Sequence, residues 1–294
     1  MTLDQFMNVL VTIMLIEMMV TVGLSTRMGE LIDLAKNGRL IVQAGLANYV
    51  CVPLLTVGLL ILFHPADPMV SAGFLILAVC PGAPFGPPCV KIAKGNVPVA
   101  VGLMVILAGS SAIMAPLLLR LLLPRLSGDG IIEVNAVQIV GTLLVTQLLP
   151  LCIGLCVRCW LPALADRLQK PASLVSAVLG LSAIGLILAV QFDLLAEIDL
   201  RGWAGMAMLL IASIASGWLL GGPGTGSRKA LALTTSLRNV GVGLVIATAN
   251  FARTAAVTAT VVYGIFEILG SFVLALWWTR ASAMALRRQP GVLG

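Results

Sequence analysis

Charged residues are scarce in this sequence. Only 10% of the 294 residues are Asp, Glu, Lys or Arg, whereas 60% are hydrophobic. An ordinary soluble domain carries roughly 25% charged residues. The composition therefore excludes a soluble globular protein and indicates a chain that lies in a lipid bilayer. At about 20 apolar residues per spanning helix, the length leaves little room for a separate water-facing domain.

Side chains that bind metals or perform catalysis are also few. His64 is the single histidine, and the six cysteines lie in or beside apolar runs. Cys152, Cys156 and Cys159 fall on one helical face but have no acidic neighbour to complete a metal site. We expect these thiols to pack as small hydrophobic groups and expect no metal or cofactor. No nucleophile and base pair and no phosphate loop predicts an enzyme.

Continuous apolar runs alternate with short polar breaks along the chain. Such runs favour helices, because strands of a membrane barrel alternate apolar and polar residues. The sequence predicts an all-α integral membrane protein, a single transmembrane domain over residues 1–294 whose first span is retained rather than cleaved as a signal peptide. About nine spans are predicted, at residues 6–25, 40–63, 69–91, 97–123, 134–157, 172–192, 203–220, 230–251 and 255–278.

Basic residues are distributed unequally between the two sides of this nine-span arrangement. Thirteen Lys and Arg fall on one side, and only Arg120, Arg125, Arg201 and Arg253 fall on the other. Loops that face the cytoplasm carry the excess of basic residues. We therefore expect a plasma membrane protein with its N-terminus outside and its C-terminus in the cytoplasm. The net charge of +6 reflects this topology, so nucleic acid is not an expected partner.

The third predicted span contains four prolines and two glycines in the segment 80–88, Cys-Pro-Gly-Ala-Pro-Phe-Gly-Pro-Pro. Each interior proline removes a backbone donor and costs about 3 kcal/mol in a helix. We predict that this span breaks into two half-helices within 80–88. Irregular backbone at membrane depth is tolerated only inside protein or beside a watery cavity. The alternative is a proline-kinked helix without a functional role.

The eighth predicted span, 230–251, carries a polar patch at 234–243 that includes Arg238. An arginine at the bilayer centre costs at least about 2.5 kcal/mol, so Arg238 should face the protein interior and have a partner. One interpretation is a structural ion pair with Glu17 or Glu267, which also lie within spans. The other is an anion-binding role. We predict that this span is also broken or unwound.

The two interrupted spans are five apart in chain order, so the chain crosses the membrane through them in opposite directions. A matching pair of interrupted spans in two halves indicates an inverted repeat and the midplane site of a secondary transporter. The positive ends of half-helices favour an anionic solute. The candidate substrate-binding residues are Thr234, Arg238, Asn239, Pro88, Cys89 and Glu267, and Glu17 and Glu267 are candidates for coupling or charge balance.

Several segments resemble the bile acid:sodium symporter family: 22–24 (Val-Gly-Leu), 80–82 (Cys-Pro-Gly), 93–96 (Ala-Lys-Gly-Asn), 233–241 and 270–271 (Gly-Ser). The resemblance covers nearly the whole chain in register. It implies a panel domain and a core domain in which two discontinuous helices cross, moved by alternating access. It also implies the nine-span form, which lacks the first helix of ten-span members.

The sequence departs from the sodium-coupled members where the resemblance places their sodium ligands. Sodium is a hard cation that needs a cage of oxygen atoms. Most of those oxygens are missing, so we expect that sodium coupling is lost and that Arg238 lies where a bound sodium would. The residues at those positions are Gly86, Pro87, Ala100, Met104, Thr234 and Arg238, with Asn48 at a position that is glutamine in the sodium-coupled members.

These features together predict a secondary-active or facilitative transporter whose partner is a small organic anion. Glu17 or Glu267 could carry a coupling proton, with Asn48 as a further member of the coupling set. Uncoupled exchange is equally compatible with the residues. The alternative, from a different class, is a non-transporting membrane sensor or binding protein on the same fold.

Overall fold

The computed structural model describes residues 3–65, 67–125, 135–190 and 200–287, which are helical with short connections and contain no strand. The all-helical prediction is confirmed for these residues. The helices are α1 (Leu3–Ser25), α2 (Met28–Ala35), α3 (Gly38–Leu46), α4 (Val52–Phe63), α5 (Pro68–Ala78), α6 (Gly86–Ile92), α7 (Val97–Leu122), α8 (Ala136–Leu143), α9 (Leu149–Trp160), α10 (Pro162–Val190), α11 (Leu200–Leu220), α12 (Thr225–Ser236), α13 (Val240–Asn250) and α14 (Ala255–Arg287).

Within the described residues, seven stretches are long and apolar enough to cross a membrane: Gln5–Ser25, Gly38–Phe63, Val97–Arg125, Ala136–Trp160, Leu200–Leu220, Thr225–Asn250 and Ala255–Ala281. The chain is therefore a multi-pass integral membrane protein. The predicted span 69–91 corresponds to the shorter helices α5 and α6. The predicted span 172–192 falls in α10, apart from residues 191 and 192, which lie outside the described residues, as does residue 134. The count of nine stays a prediction.

Helix α1 packs against α9, α10 and α13. Its contact with α9 is close because glycines face each other there. A methyl group added at Gly23 would lie 2.5 Å from the backbone oxygen of Leu151, and one at Gly154 would lie 2.3 Å from that of Val20. Small residues of this kind let two membrane helices approach until their backbones touch.

The stretch Thr225–Asn250 is enclosed by the rest of the protein. Of its most apolar window, 94% is buried, compared with 50% or less for each of the other six stretches. Helix α12 packs against α11 and α7, and α13 packs against α1, α5 and α14. The polar patch of this span is therefore surrounded by protein, as the cost of an exposed arginine in lipid requires.

Two spans contain a single wide turn of π-helix in which a buried amide side chain lies. Ala47–Cys51 separates α3 from α4 and contains Asn48, and Leu144–Leu148 separates α8 from α9 and contains Gln147. Each turn precedes a proline, Pro53 or Pro150, whose missing N–H cannot complete the ordinary helical bond. Asn48 and Gln147 are both fully buried.

Candidate substrate site at the helix crossing

The chain is not helical between the end of α5 at Ala78 and the start of α6 at Gly86. Gly82 has a φ of +89° in this segment, a conformation that glycine adopts readily. A methyl group at Gly82 would lie 2.4 Å from the backbone nitrogen of Ala108 in α7. Gly82 is therefore required both for the backbone turn and for the close approach to α7.

A second interruption separates α12 from α13 at residues 237–239. The side chain of Asn239 accepts a hydrogen bond from the backbone nitrogen of Val242 at 3.2 Å. This contact caps the N-terminus of α13, because the asparagine oxygen satisfies one of the free N–H groups of the first turn. The cap fixes where the second half-helix begins.

The two interruptions touch each other directly. The backbone nitrogen of Asn239 donates to the carbonyl of Cys80 at 2.7 Å, and the Asn239 amide nitrogen lies 3.4 Å from the carbonyl of Gly82. Backbone groups released by one break are thus satisfied by the other, which irregular backbone at membrane depth requires. Cys80 and Asn239 are buried.

Arg238 lies at this contact and is only 1% exposed. Its Nη1 donates to Oδ1 of Asn48 at 3.0 Å. The Asn48 amide nitrogen in turn donates to the carbonyl of Ala44 at 2.9 Å and to the hydroxyl of Thr235 at 3.2 Å. The other terminal nitrogen, Nη2, is buried and has no hydrogen-bond partner within the described part of the chain.

Glu267 of α14 lies beside Arg238 and is fully buried. Its Oε1 accepts a hydrogen bond from the backbone nitrogen of Arg238 at 2.6 Å, whereas its Oε2 has no partner among the described residues. The recorded ion pairs are Lys36 with Asp33 and Arg158 with Asp166. The described residues thus do not contain the direct guanidinium–carboxylate pair that was one interpretation of the sequence.

The contact between the two interruptions, called the crossing below, holds one buried guanidinium and one buried carboxylate. Each has one polar atom without a hydrogen-bond partner among the described residues. Unsatisfied buried polar atoms are uncommon and cost about 1 to 3 kcal/mol each, more when the group is charged. A free guanidinium nitrogen donates best to a negatively charged oxygen. The arrangement is therefore chemically suited to bind a small anionic group at Nη2 of Arg238.

Residues 12–198, well over half of the chain, match the sequence profile of the Sodium Bile acid symporter family. The chain belongs to this family. It is a family of membrane transporters, so the expectation that the protein is not an enzyme is confirmed, as is the resemblance noted in the sequence.

Two relatives align with most of the chain. The "Uncharacterized sodium-dependent transporter YocS" of Bacillus subtilis (strain 168) is 24% identical over 280 residues, which cover 92% of this chain and 83% of the relative. The "Probable sodium/metabolite cotransporter BASS2, chloroplastic" of Oryza sativa subsp. japonica is 22% identical over 269 residues, 89% of this chain. This chain spans only 62% of the length of the rice protein.

The other candidate residues for substrate binding have surroundings of their own. The hydroxyl of Thr234 donates to the carbonyl of Ala230 at 2.9 Å, and its methyl group faces Gly86. Cys89 is buried in an apolar cluster with Leu233 and Leu237. Pro88 is exposed on α6. None of these three hydrogen-bonds to Arg238 in the part of the chain that the structure describes.

Glu17 belongs to a different polar cluster. Its Oε1 accepts a hydrogen bond from Thr21 at 2.8 Å, and its Oε2 accepts one from Ser176 of α10. Glu17 therefore links α1 to α10, and the structure records no hydrogen bond or ion pair between it and Arg238 in the described segments. Of the sequence candidates, Asn48, Arg238 and Glu267 are brought together, with Asn239 at the break beside them.

Gln147 was not among the candidates, although it hydrogen-bonds to the part of α7 that packs against Gly82. Its amide nitrogen donates to the carbonyl of Ala108, the residue that Gly82 touches, and to the hydroxyl of Ser111 at 3.0 Å. A sequence pattern could have identified Gln147. Like Asn48, it is an amide residue that lies a few positions before a proline inside a predicted span. Its Oε1 is buried without a partner among the described residues.

A separate cavity of about 540 Å³ lies between α4, α5, α11 and α14. Its wall is mostly apolar and includes Phe74 and Val262, and Arg201 is one of its polar lining residues. The ring of Phe74 lies 5.3 Å from that of Tyr263, one helical turn before Glu267. Arg238 and Glu267 are not among the residues that line the cavity. The described structure thus separates this space from the crossing.

Proposed function

We propose that this protein is a secondary-active or facilitative transporter that carries a small organic anion across the plasma membrane. The observation that carries the proposal is the position of Arg238. Its guanidinium is buried where two interrupted helices touch, and one of its nitrogens has no partner among the described residues. A buried cation with free donor capacity at a helix crossing suits a carboxylate or similar anion.

We further propose that Arg238 replaces the coupling cation of sodium-dependent relatives. Two of the positions where the resemblance places sodium ligands are Ala100 and Met104, and both are buried in apolar clusters. A third, Gly86, faces the methyl group of Thr234 rather than an oxygen. A fixed guanidinium supplies positive charge without requiring an oxygen cage.

The proposed architecture is a nine-span inverted repeat, with the N-terminus outside and the C-terminus in the cytoplasm. In it, α5 with α6 and α12 with α13 are the two discontinuous spans of a core domain. The panel domain contains α1, α8 with α9, and α10, since α1 packs against both α9 and α10. The orientation rests on the excess of basic residues on one side of this arrangement.

Each candidate residue has a distinct role in this proposal. Arg238 binds the anion, Asn48 orients its guanidinium, and Asn239 holds the crossing together. Glu267 balances charge or carries a proton, and Glu17 is a second candidate for that coupling role. Thr234, Pro88 and Cys89 are proposed to line the solute path along α12 and α6.

Flux in reconstituted liposomes tests the function. Purified protein is reconstituted into sealed vesicles and uptake of a panel of radiolabelled organic acids is measured with sodium, potassium or choline as the only cation. We expect saturable uptake of at least one acid, equal in the three salts. Binding of an acid without flux would favour the sensor alternative, and uptake that requires sodium would refute the replacement by Arg238.

A further inference from the structure

Four basic residues come together where the turn after α6 meets the beginning of α12. Lys91 and Lys94 belong to the first element, and Arg228 and Lys229 to the second. The backbone nitrogen of Asn96 donates to the carbonyl of Gly226 at 3.1 Å, and Nζ of Lys229 donates to the carbonyl of Ala93 at 2.8 Å. The two elements are thus held in contact. We call Lys91, Lys94, Arg228 and Lys229, which these two elements carry, the basic cluster.

The positive charge of the basic cluster is concentrated and accessible. Lys91 and Lys94 are exposed, and Arg228 is half-buried. Nζ of Lys229 reaches the carbonyl of Ala93, the residue before Lys94. Lys91, Lys94 and Arg228 form no ion pair with any carboxylate in the described residues. Such a group of like charges favours an anionic ligand.

Two tryptophans lie directly beside the basic cluster. The guanidinium of Arg228 lies 6.0 Å from the centre of the Trp218 ring, and Nζ of Lys229 lies 5.8 Å from that of Trp278. The two rings lie 5.4 Å apart. Tryptophan in membrane proteins concentrates at the level of the lipid headgroups. The cluster is therefore placed at the depth where lipid phosphates are found.

The two helices that carry the tryptophans, α11 and α14, also expose large apolar side chains near them in the sequence. Leu219 of α11 is 77% exposed, and Val273 and Trp277 of α14 are 64% and 59% exposed. In a membrane such side chains are covered by acyl chains. A ligand with a phosphate at the cluster would therefore continue as hydrocarbon beside α11 and α14, which distinguishes a phospholipid from free phosphate.

We propose that the basic cluster is a binding site for an anionic phospholipid. The phosphate accepts hydrogen bonds from Lys94 and Arg228, the headgroup lies beside Trp218, and the acyl chains cover α11 and α14. The bound lipid bridges the end of one interrupted span and the beginning of the other. This site is independent of the anion site at Arg238 and does not rest on the transported solute.

Native mass spectrometry of the detergent-solubilised protein tests the site. Apparent dissociation constants are measured for phosphatidylglycerol and phosphatidylcholine with identical acyl chains. We expect wild-type protein to bind phosphatidylglycerol more tightly. The double variant Lys94→Gln/Arg228→Gln should bind phosphatidylglycerol about 30-fold more weakly, because each Lys or Arg near a headgroup contributes about a factor of five. Its binding of phosphatidylcholine should not change.

The control is Arg167→Gln/Lys170→Gln, which removes the same charge from exposed residues of α10, on the same predicted side. It should keep wild-type affinity for phosphatidylglycerol. An equal loss in this control, or no preference for phosphatidylglycerol in the wild type, would overturn the site. Displacement of phosphatidylglycerol by millimolar inorganic phosphate would show a free-phosphate site instead and refute the lipid assignment.

The double variant could lose stability as well as lipid binding, because Arg228 also donates to the carbonyl of Gly222 at 2.7 Å. A single variant therefore provides a second test. If the double variant is not monodisperse, Lys94→Gln is used, since Lys94 is exposed and its side chain forms no hydrogen bond or ion pair with the described residues. We expect about a fivefold loss of phosphatidylglycerol affinity. An unchanged affinity in Lys94→Gln would count against the site.

Discussion

Glu267 accepts a hydrogen bond from the backbone nitrogen of Arg238 at 2.6 Å and not from its guanidinium. The guanidinium donates instead to Asn48 at 3.0 Å. The carboxylate thus stabilises the interrupted backbone, while the arginine side chain keeps one nitrogen without a partner in the described chain. The structural and the binding contributions at this crossing can therefore be separated by mutation.

Replacing Arg238 tests the binding contribution. We expect Arg238→Gln to abolish organic-anion binding and to leave the protein folded, because the glutamine amide can still donate to Asn48 but carries no charge. Arg238→Lys should bind weakly, since lysine keeps the charge and loses the planar fork. Binding is measured by isothermal titration, and folding by size-exclusion chromatography and thermal melting.

The matched control for Arg238→Gln is Arg120→Gln, the same change at an exposed position of α7. This control should bind normally. Poor expression of Arg238→Gln would instead indicate that Arg238 balances the buried charge of Glu267, because leaving one buried charge uncompensated costs about 3 to 5 kcal/mol. Normal expression with normal binding would contradict both roles.

Substitutions of Glu267 test the structural contribution. Glu267→Gln keeps this hydrogen bond, because its amide oxygen can accept the Arg238 N–H, and it should be more stable than Glu267→Ala, which loses the same charge. Glu267→Ala should lose about 1 to 3 kcal/mol of stability, since the buried N–H is left without an acceptor. Denaturation in detergent measures the difference. Equal stability of the two variants would show that this hydrogen bond contributes little.

Sodium should not stabilise this protein. A ligand raises the melting temperature only if it binds the folded state, and 100-fold excess over its dissociation constant contributes about 2.7 kcal/mol. We expect identical melting curves in sodium, potassium and choline chloride at constant ionic strength. A saturable rise specific to sodium would show that other groups, such as Asn48, Thr234 and Thr235 with backbone carbonyls, form a site.

Gly82 should tolerate no side chain. We expect Gly82→Ala to destabilise the protein by about 1 to 3 kcal/mol from its positive φ alone, and by more because the methyl group would lie 2.4 Å from the Ala108 nitrogen. Gly58→Ala is the control, since nothing lies within 4 Å of its added methyl group. Thermal melting of both variants measures the difference. A Gly82→Ala protein as stable as Gly58→Ala would contradict the close packing of Gly82 against Ala108.

Asn239 should contribute more than an ordinary helix cap. Replacing a cap by alanine costs about 1 kcal/mol, and Asn239→Ala also removes the contact with Gly82. We expect Asn239→Ala to lower stability more than Asn135→Ala, which removes the exposed cap of α8. Asn239→Ser should recover part of the loss because serine can cap. Chemical denaturation of the three variants measures this order, and equal losses in the two alanine variants would contradict it.

The amino-acid sequence by itself determined the features that depend on near neighbours in the chain. Continuous apolar runs predict helices, because each residue's hydrogen bonds close within four positions. The all-helical class and the family follow from such local patterns and are confirmed. The proline-rich segment 80–88 also acts locally, since each proline removes its own N–H, and α5 ends at Ala78 before it.

Only the tertiary structure decided which distant groups meet. The sequence indicated that Arg238 needs a partner, but it offered Glu17 and Glu267 equally. Packing places Glu267 against the Arg238 backbone and Glu17 against Ser176 of α10. Asn48 contacts the guanidinium across 190 positions of the chain. Such pairs depend on how whole helices pack and turn about their axes, and this depends on every side chain along the contact rather than on a local pattern.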